Sequence, residues 1–242
     1  GIWVQDTSSN WSSVASVMGV PKDTASPNAV TGLSVQYISG KAYVNWTNPG
    51  TDYSAAVLHR IEGAGSVSSP NRVSSRVASG NITGYIHSVS DNSNYTYSVF
   101  VRDESQNFSS PVSVTKRVPN IVSSLGAEVD DRVVTLNWVL GGARTYVIHR
   151  KEASETGVIL RATDNATRVA TVNTVTQYKD TSVTANTIYE YQVFVKKGTD
   201  YSRGVVIQVT PVDTYVEPGS GLSAIGGNQQ VGLSWTKPVD MV

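Results

Sequence analysis

The chain is 242 residues long, has no cysteine, and sets 19 basic side chains against 19 acidic ones. Without cysteine there is no disulfide scaffold, no thiolate zinc site and no thiol nucleophile. A neutral chain offers no basic face for nucleic acid or an anionic membrane, and no apolar run approaches the roughly 20 residues of a membrane helix.

The chain opens on Gly1-Ile2-Trp3-Val4, with no initiator Met and no signal-peptide pattern, as a processed product or an excised piece would. Val4 to Ser13 then follows the pattern of Val101 to Ser110: an Asp (Asp6, Asp103), an Asn four residues on (Asn10, Asn107), an aromatic (Trp11, Phe108) and two serines. The chain therefore begins inside the penultimate strand of an upstream unit.

The next element is a hairpin from Leu33 to Trp46, with Val44 two residues before the Trp and the turn residues Ser39-Gly40 between its strands. Alternation of this kind predicts a strand with one face inward. The frame recurs with the same 13-residue spacing from Leu125 to Trp138 and from Leu222 to Trp235. Such internal repetition is the first thing to seek in a chain. Val57-Leu58-His59-Arg60 matches Val147-Ile148-His149-Arg150, a further strand of each repeat. Val89 lies six residues before Tyr95, and Val183 six before Tyr189. Each Tyr opens an alternating strand, Tyr95-Tyr97-Val99-Val101 and Tyr189-Tyr191-Val193-Val195. Prolines fall at the joins: Pro21, Pro27, Pro119, Pro211 and Pro218. Val, Thr and Tyr suit pleated, half-buried surfaces.

Two complete units of short strands without helical period predict an all-β chain of tandem seven-stranded antiparallel β-sandwiches. The expected division is 1–27 (last strands of an upstream unit plus linker), 28–118, 119–213, and 214–242 (first strands of a further unit). The Leu–Trp hairpin, the Val six residues before a Tyr, and the alternating strand after it resemble fibronectin type III modules. The Asp-x-x-x-Asn turns resemble the bacterial and phage extracellular variety. The resemblance implies that Trp46, Trp138 and Trp235 fill the centre between sheets. It also implies that Tyr95 and Tyr189 are corner tyrosines bonding back to nearby backbone. Lys196 to Tyr201 departs from the Asp-x-x-x-Asn turn, so that loop is expected to differ in shape and surface.

His59 and His149 occupy one position in both repeats, which speaks for a structural or solvent-facing role; His87 stands alone in another strand pattern. No phosphate loop, nucleophile elbow or His-x-x-x-His spacing occurs, so no catalytic residue, cofactor or metal is expected. Asp103 with Asn107 is expected to shape a turn; calcium would need six or more oxygens from several loops. Trp11 and Phe108 are expected to be exposed beside that turn, packing across a linker or stacking on a sugar or a partner. Trp11, Asp103, Asn107 and Phe108 are the weak binding candidates. Asn-x-Ser/Thr sequons begin at Asn10, Asn45, Asn81, Asn94, Asn107 and Asn165 and decide nothing without the host.

The expected function is a non-catalytic structural or adhesive rod segment of an extracellular surface protein or virion tail or fibre. The alternative is a spacer in a secreted carbohydrate-active enzyme. Expected partners are neighbouring modules of the same longer chain or assembly, and a protein or glycan surface ligand. Trp3 and Trp235, on lone terminal strands, need partners. A longer chain is the expected source, with strand addition between molecules as the alternative.

A buried indole hides about 150–250 Å², roughly 4–6 kcal/mol at about 25 cal/mol per Å². Trp138→Ala is expected to cost about 3–5 kcal/mol and to unfold the second repeat while the first survives. Chemical denaturation followed by a probe in each repeat checks this; simultaneous loss of both would contradict it.

Overall fold

The computed structural model describes residues 1–139, 145–157 and 160–237. The last residues of the final predicted segment, 238–242, lie outside these. Among the described residues the regular elements are β-strands, apart from one 3-10 turn at Val73–Ser75, and no helix is long and apolar enough to cross a membrane.

The first repeat runs β1 (Thr31–Ile38), β2 (Lys41–Thr47), β3 (Ala55–Glu62), β4 (Arg76–Gly80), β5 (Gly84–Ser88), β6 (Asn94–Arg102) and β7 (Val112–Arg117). They form a three-stranded sheet ordered β1-β2-β5 and a four-stranded sheet ordered β4-β3-β6-β7. The second repeat runs β8 (Ser123–Asp130), β9 (Val133–Val139), β10 (Thr145–Glu152), β11 (Arg168–Asn173), β12 (Gln177–Asp180), β13 (Tyr189–Lys197), β14 (Asp200–Tyr201) and β15 (Val205–Val209). Its sheets are β12-β9-β8 and β11-β10-β13, with β14 and β15 both on β13. The plan is the same, with the last strand interrupted. β16 (Ser220–Gly227) and β17 (Gln230–Thr236) form a separate hairpin.

Contacts divide the chain into two compact units: residues 1–34, 45–84 and 96–115, and residues 35–44, 85–95 and 116–242. In the first, Trp46 is buried and its indole N–H donates to Asn48 Oδ1 at 2.8 Å. Asn48 Nδ2 in turn donates to Tyr53 Oη and the Ile82 carbonyl. In the second, Leu136, Trp138, Tyr146, Ile148, Tyr191, Val193 and Val195 share one core drawn from both sheets. Trp138 is as buried as Trp46, yet its indole N–H finds no acceptor among the described residues.

The second unit also ties residues 35–44 and 85–95 to the chain beyond Lys116. The Tyr37 amide and Lys116 Nζ both donate to Asp200 Oδ1, at 3.0 and 2.7 Å, and Gln36 Nε2 donates to the Thr199 carbonyl. Arg203 pairs with Asp91 at 2.9 Å.

The tyrosine corners form as the resemblance implies. Tyr95 Oη accepts from the Ser90 amide at 3.1 Å and Tyr189 Oη from the Thr184 amide at 3.0 Å, five residues back in both cases. The hairpin turns use left-handed pairs, Ser39-Gly40 (φ 50° and 79°) and Asp131-Arg132 (φ 36° and 59°), matching the right-handed twist of the flanking strands.

Two expectations need correction. Trp235 does not fill a core: every residue of β16 and β17 is exposed, because a two-stranded hairpin has no second sheet to pack on. The strands after Tyr95 and Tyr189 do not alternate fully. Tyr95 to Val101 are buried without a break, because β6 is covered on both faces.

Asp180, at the end of β12, is the most heavily bonded buried carboxylate described. It accepts from Arg150 Nη1 at 2.6 Å, from the Ser182 amide and hydroxyl, and from Tyr191 Oη. Burial alone would push its carboxyl up. The Ser182 hydrogen bonds, the Arg150 charge and the Tyr191 bond outweigh burial and hold it below the ordinary range. Removing one partner of such a pair leaves an uncompensated buried charge. Asp180→Ala is expected to cost about 3–5 kcal/mol at neutral pH. The folded-state pKa is depressed, so the wild-type advantage is full above about pH 4 and shrinks as pH falls below it. Denaturation curves of both proteins at pH 7 and pH 3 check the size and the sign.

Candidate functional site

The loop after β6 gathers three of the four candidate residues. Asp103 is buried, and one carboxylate oxygen accepts from the Asn107 amide while the other accepts from Asn107 Nδ2, both at 2.7 Å. The Asp103 amide returns a bond to the Asn107 carbonyl. Gln106 takes the left-handed conformation (φ 70°) that closes the turn. Asp6 and Asn10 repeat every part of this: both carboxylate oxygens accept from Asn10, and Ser9 (φ 66°) stands where Gln106 does. These bonds hold the Asp6 carboxyl below its ordinary range. The geometry is that of a structural turn.

The aromatics part company. Trp11 is 65% exposed. Phe108 is half-buried and packs on Val57, Val67 and Phe100, which corrects the expectation that it stands open. Tyr201 does the same against Val147, Ala162 and Phe194. A small second core on the outer face of the larger sheet explains both.

A repeated serine beside each aromatic also has a role. Ser12, Ser109 and Ser202 each accept from a strand amide (Val4, Val101, Val195) and donate to the next residue's carbonyl. The signal is present in Trp11-Ser12, Phe108-Ser109 and Tyr201-Ser202.

Sequence reasoning misses one cluster, because its members lie far apart in the chain. Carboxylate oxygens of Asp23, Asp52 and Asp103 come within 4.8 Å of one another, and Asn107 Nδ2 reaches the Asp23 carbonyl at 3.2 Å. Calcium needs six or more oxygens, whereas each of these residues offers one oxygen to the cluster and both Asp103 oxygens already accept from Asn107. In the second repeat Lys197 and Asp200 flank a two-residue turn, and Asp200 reaches Lys116 and the Tyr37 amide. The loop differs as expected. A polar cavity of about 500 Å³ lies among Ser39, Gly40, Lys41, Ser88 to Asp91, and Arg203.

The histidines are structural in placement. His59 and His149 are fully buried, and His87 is half-buried between Tyr85 and Tyr95 with Nδ1 against the Ser88 carbonyl.

A sheet of three strands paired with a larger sheet, a buried Trp on the second strand and a corner Tyr make the two repeats fibronectin type III-like in fold. Two solved structures are similar to this chain. The FN1–FN3 domains of chicken CNTN1 are 12% identical, with a TM-score of 0.41 over 87% of this chain and 76% of that one. A two-domain fibronectin type III segment of chicken tenascin is 14% identical, with a TM-score of 0.34 over 75% of this chain and 98% of that one. No family model matches the sequence, and no curated protein does.

Hydrogen bonds to a charged group contribute about 1.5–3 kcal/mol each. Asn107→Ala removes one of the two donors to Asp103, the Nδ2 group, while the backbone amide keeps its bond, and is expected to destabilise the first repeat by about 1.5–3 kcal/mol. Asn10→Ala, at an exposed turn, is expected to cost less than about 1 kcal/mol. Thermal melts of the two variants check the contrast.

Proposed function

We propose that the chain is a non-catalytic structural segment: fibronectin type III-like modules at 28–118 and 119–213 that space or display other functions outside a cell or on a virion. The bacterial and phage extracellular variety is the kind meant, and like modules are its neighbours. The observation that carries the reading is that the repeated polar side chains are used up in building the fold. Asp103 and Asn107 satisfy each other, the serine beside each aromatic caps a strand amide, and the corner tyrosines cap another. The two repeats keep this framework and vary the loops, as a repeated spacer requires and a single reaction centre does not.

Mechanical extension of the intact chain between two handles tests it. Two separate unfolding events are expected, each releasing about 30 nm for a unit of roughly 90 residues. A single event spanning both repeats, or extension without resistance, would count against a spacer. Hydrolytic turnover of glycans, lost on one point mutation, would replace it with an enzyme.

A further inference from the structure

Each repeat carries a second, smaller core on the outer face of its larger sheet, and a histidine stands at its floor. In the first repeat this core is Val57, Val67 and Phe100. In the second it is Val147, Ala162 and Phe194. Val67 and Ala162 are supplied by the segment leading from β3 to β4 and from β10 to β11. The described residues of these two segments, 63–75, 153–157 and 160–167, are mostly exposed.

The anchoring is the same in both copies. A bulge interrupts the ladder between Leu58 and His59, and another between Ile148 and His149. The extra residue lies on β4 or β11, and each ring shares the outer face of its strand with Val57 or Val147, edge-on to a phenylalanine: His59 on Phe100 at 5.5 Å and 78°, His149 on Phe194 at 5.4 Å and 83°. Each ring then holds the covering segment. His59 Nδ1 lies 2.9 Å from Ser75 Oγ and Nε2 lies 3.1 Å from the Pro70 carbonyl. His149 Nδ1 lies 2.8 Å from Thr167 Oγ1.

We propose that His59 and His149 are acid-released latches: protonating the buried ring frees the segment above it and uncovers the outer apolar face of β3 and β6, or of β10 and β13. The neutral ring suits this site. Nε2 of His59 faces the Pro70 carbonyl, and Nδ1 faces the Ser75 hydroxyl, which also reaches the Arg72 carbonyl at 3.3 Å. A second proton places a cation in an apolar floor. The charges that face it are Arg72 on the covering segment and Arg76 on β4, both repulsive; β6 presents the uncharged Phe100. Around His149 they are Arg168 on β11, repulsive, and Asp164 on the covering segment, which works the other way; β13 presents Phe194.

Burial comes first in disfavouring the charged ring at both positions, with the arginines adding to it. The open state exposes an ordinary imidazole, which protonates near pH 6.5. Opening takes up a proton, so closure weakens as pH falls below about 6.5 and levels off once the closed form also protonates. A covering segment that is mostly exposed is a part of a domain that can open locally.

Hydrogen exchange of the intact chain from pH 7.5 to 4.5, corrected for the intrinsic exchange rate, tests the latch. Amides within 63–75 and 160–167 are expected to lose protection by about tenfold per pH unit below about 6.5, while β6 and β13 stay protected. His149→Phe fills the site with a ring that cannot titrate; it should abolish the response in 160–167 and leave that in 63–75. His59→Phe should do the reverse. Should a variant fail to fold, the ring resonances of the wild type serve instead: His59 and His149 should titrate below the ordinary imidazole value, over the range in which the segments open. Protection that stays flat with pH would overturn the proposal. So would loss that is simultaneous across β6 and β13, or a wild-type response that persists in the phenylalanine variants.

Discussion

The structure depends on strands that are buried on both faces. In β3 and β6, and in β10 and β13, side chains on one face fill the space between the sheets while those on the other need a cover of their own. A buried backbone or side-chain polar group without a partner costs free energy. The covering loops must therefore bring polar groups as well as apolar ones. Thr96 and Ser98 on β6 meet Thr115 and Ser113 on β7, Asp180 collects Arg150, Ser182 and Tyr191, and the loop serines reach strand amides.

The two repeats solve this with one backbone and different side chains. Trp46 hands its N–H to Asn48, whereas Trp138 has no acceptor among the described residues. In the loop before the recurring serine, Asp103 closes its own turn through Asn107; Asp200 in the second repeat turns outward to Lys116 and the Tyr37 amide. Conserving the frame while exchanging such contacts leaves each repeat a different surface on the same scaffold.

Much of this was legible in the sequence. The 13-residue Leu-to-Trp spacing marks the hairpins because period two and a large indole are local signals. Tyr95 and Tyr189 were legible because the bond they make runs to an amide five residues away. Phe108 was misread as exposed, since the cover over β6 comes from Val67, some forty residues back. Strand alternation cannot report a second covered face. Asp23, Asp52 and Asp103 gave no signal for the same reason: no local pattern links them. His59 and His149 could be matched by position, but no local pattern shows that Phe100 and Phe194, some forty residues on, bury them. Trp235 follows the hairpin rule faithfully and is nevertheless exposed, because the rule describes a strand and a core needs two sheets.

The contacts of Asp200 and Lys116 have a bearing on solubility. β1 is an outer strand of its sheet, so one side of its backbone has no ladder partner. On that strand the Tyr37 amide is held by the Asp200 carboxylate, and the Val35 carbonyl two residues earlier is held by the Lys116 ammonium. The ion pair supplies one acceptor and one donor in place of a neighbouring backbone. A foreign β-segment aligning there would have to displace two charged groups to form its first bonds, and an otherwise open sheet margin is thereby closed to aggregation.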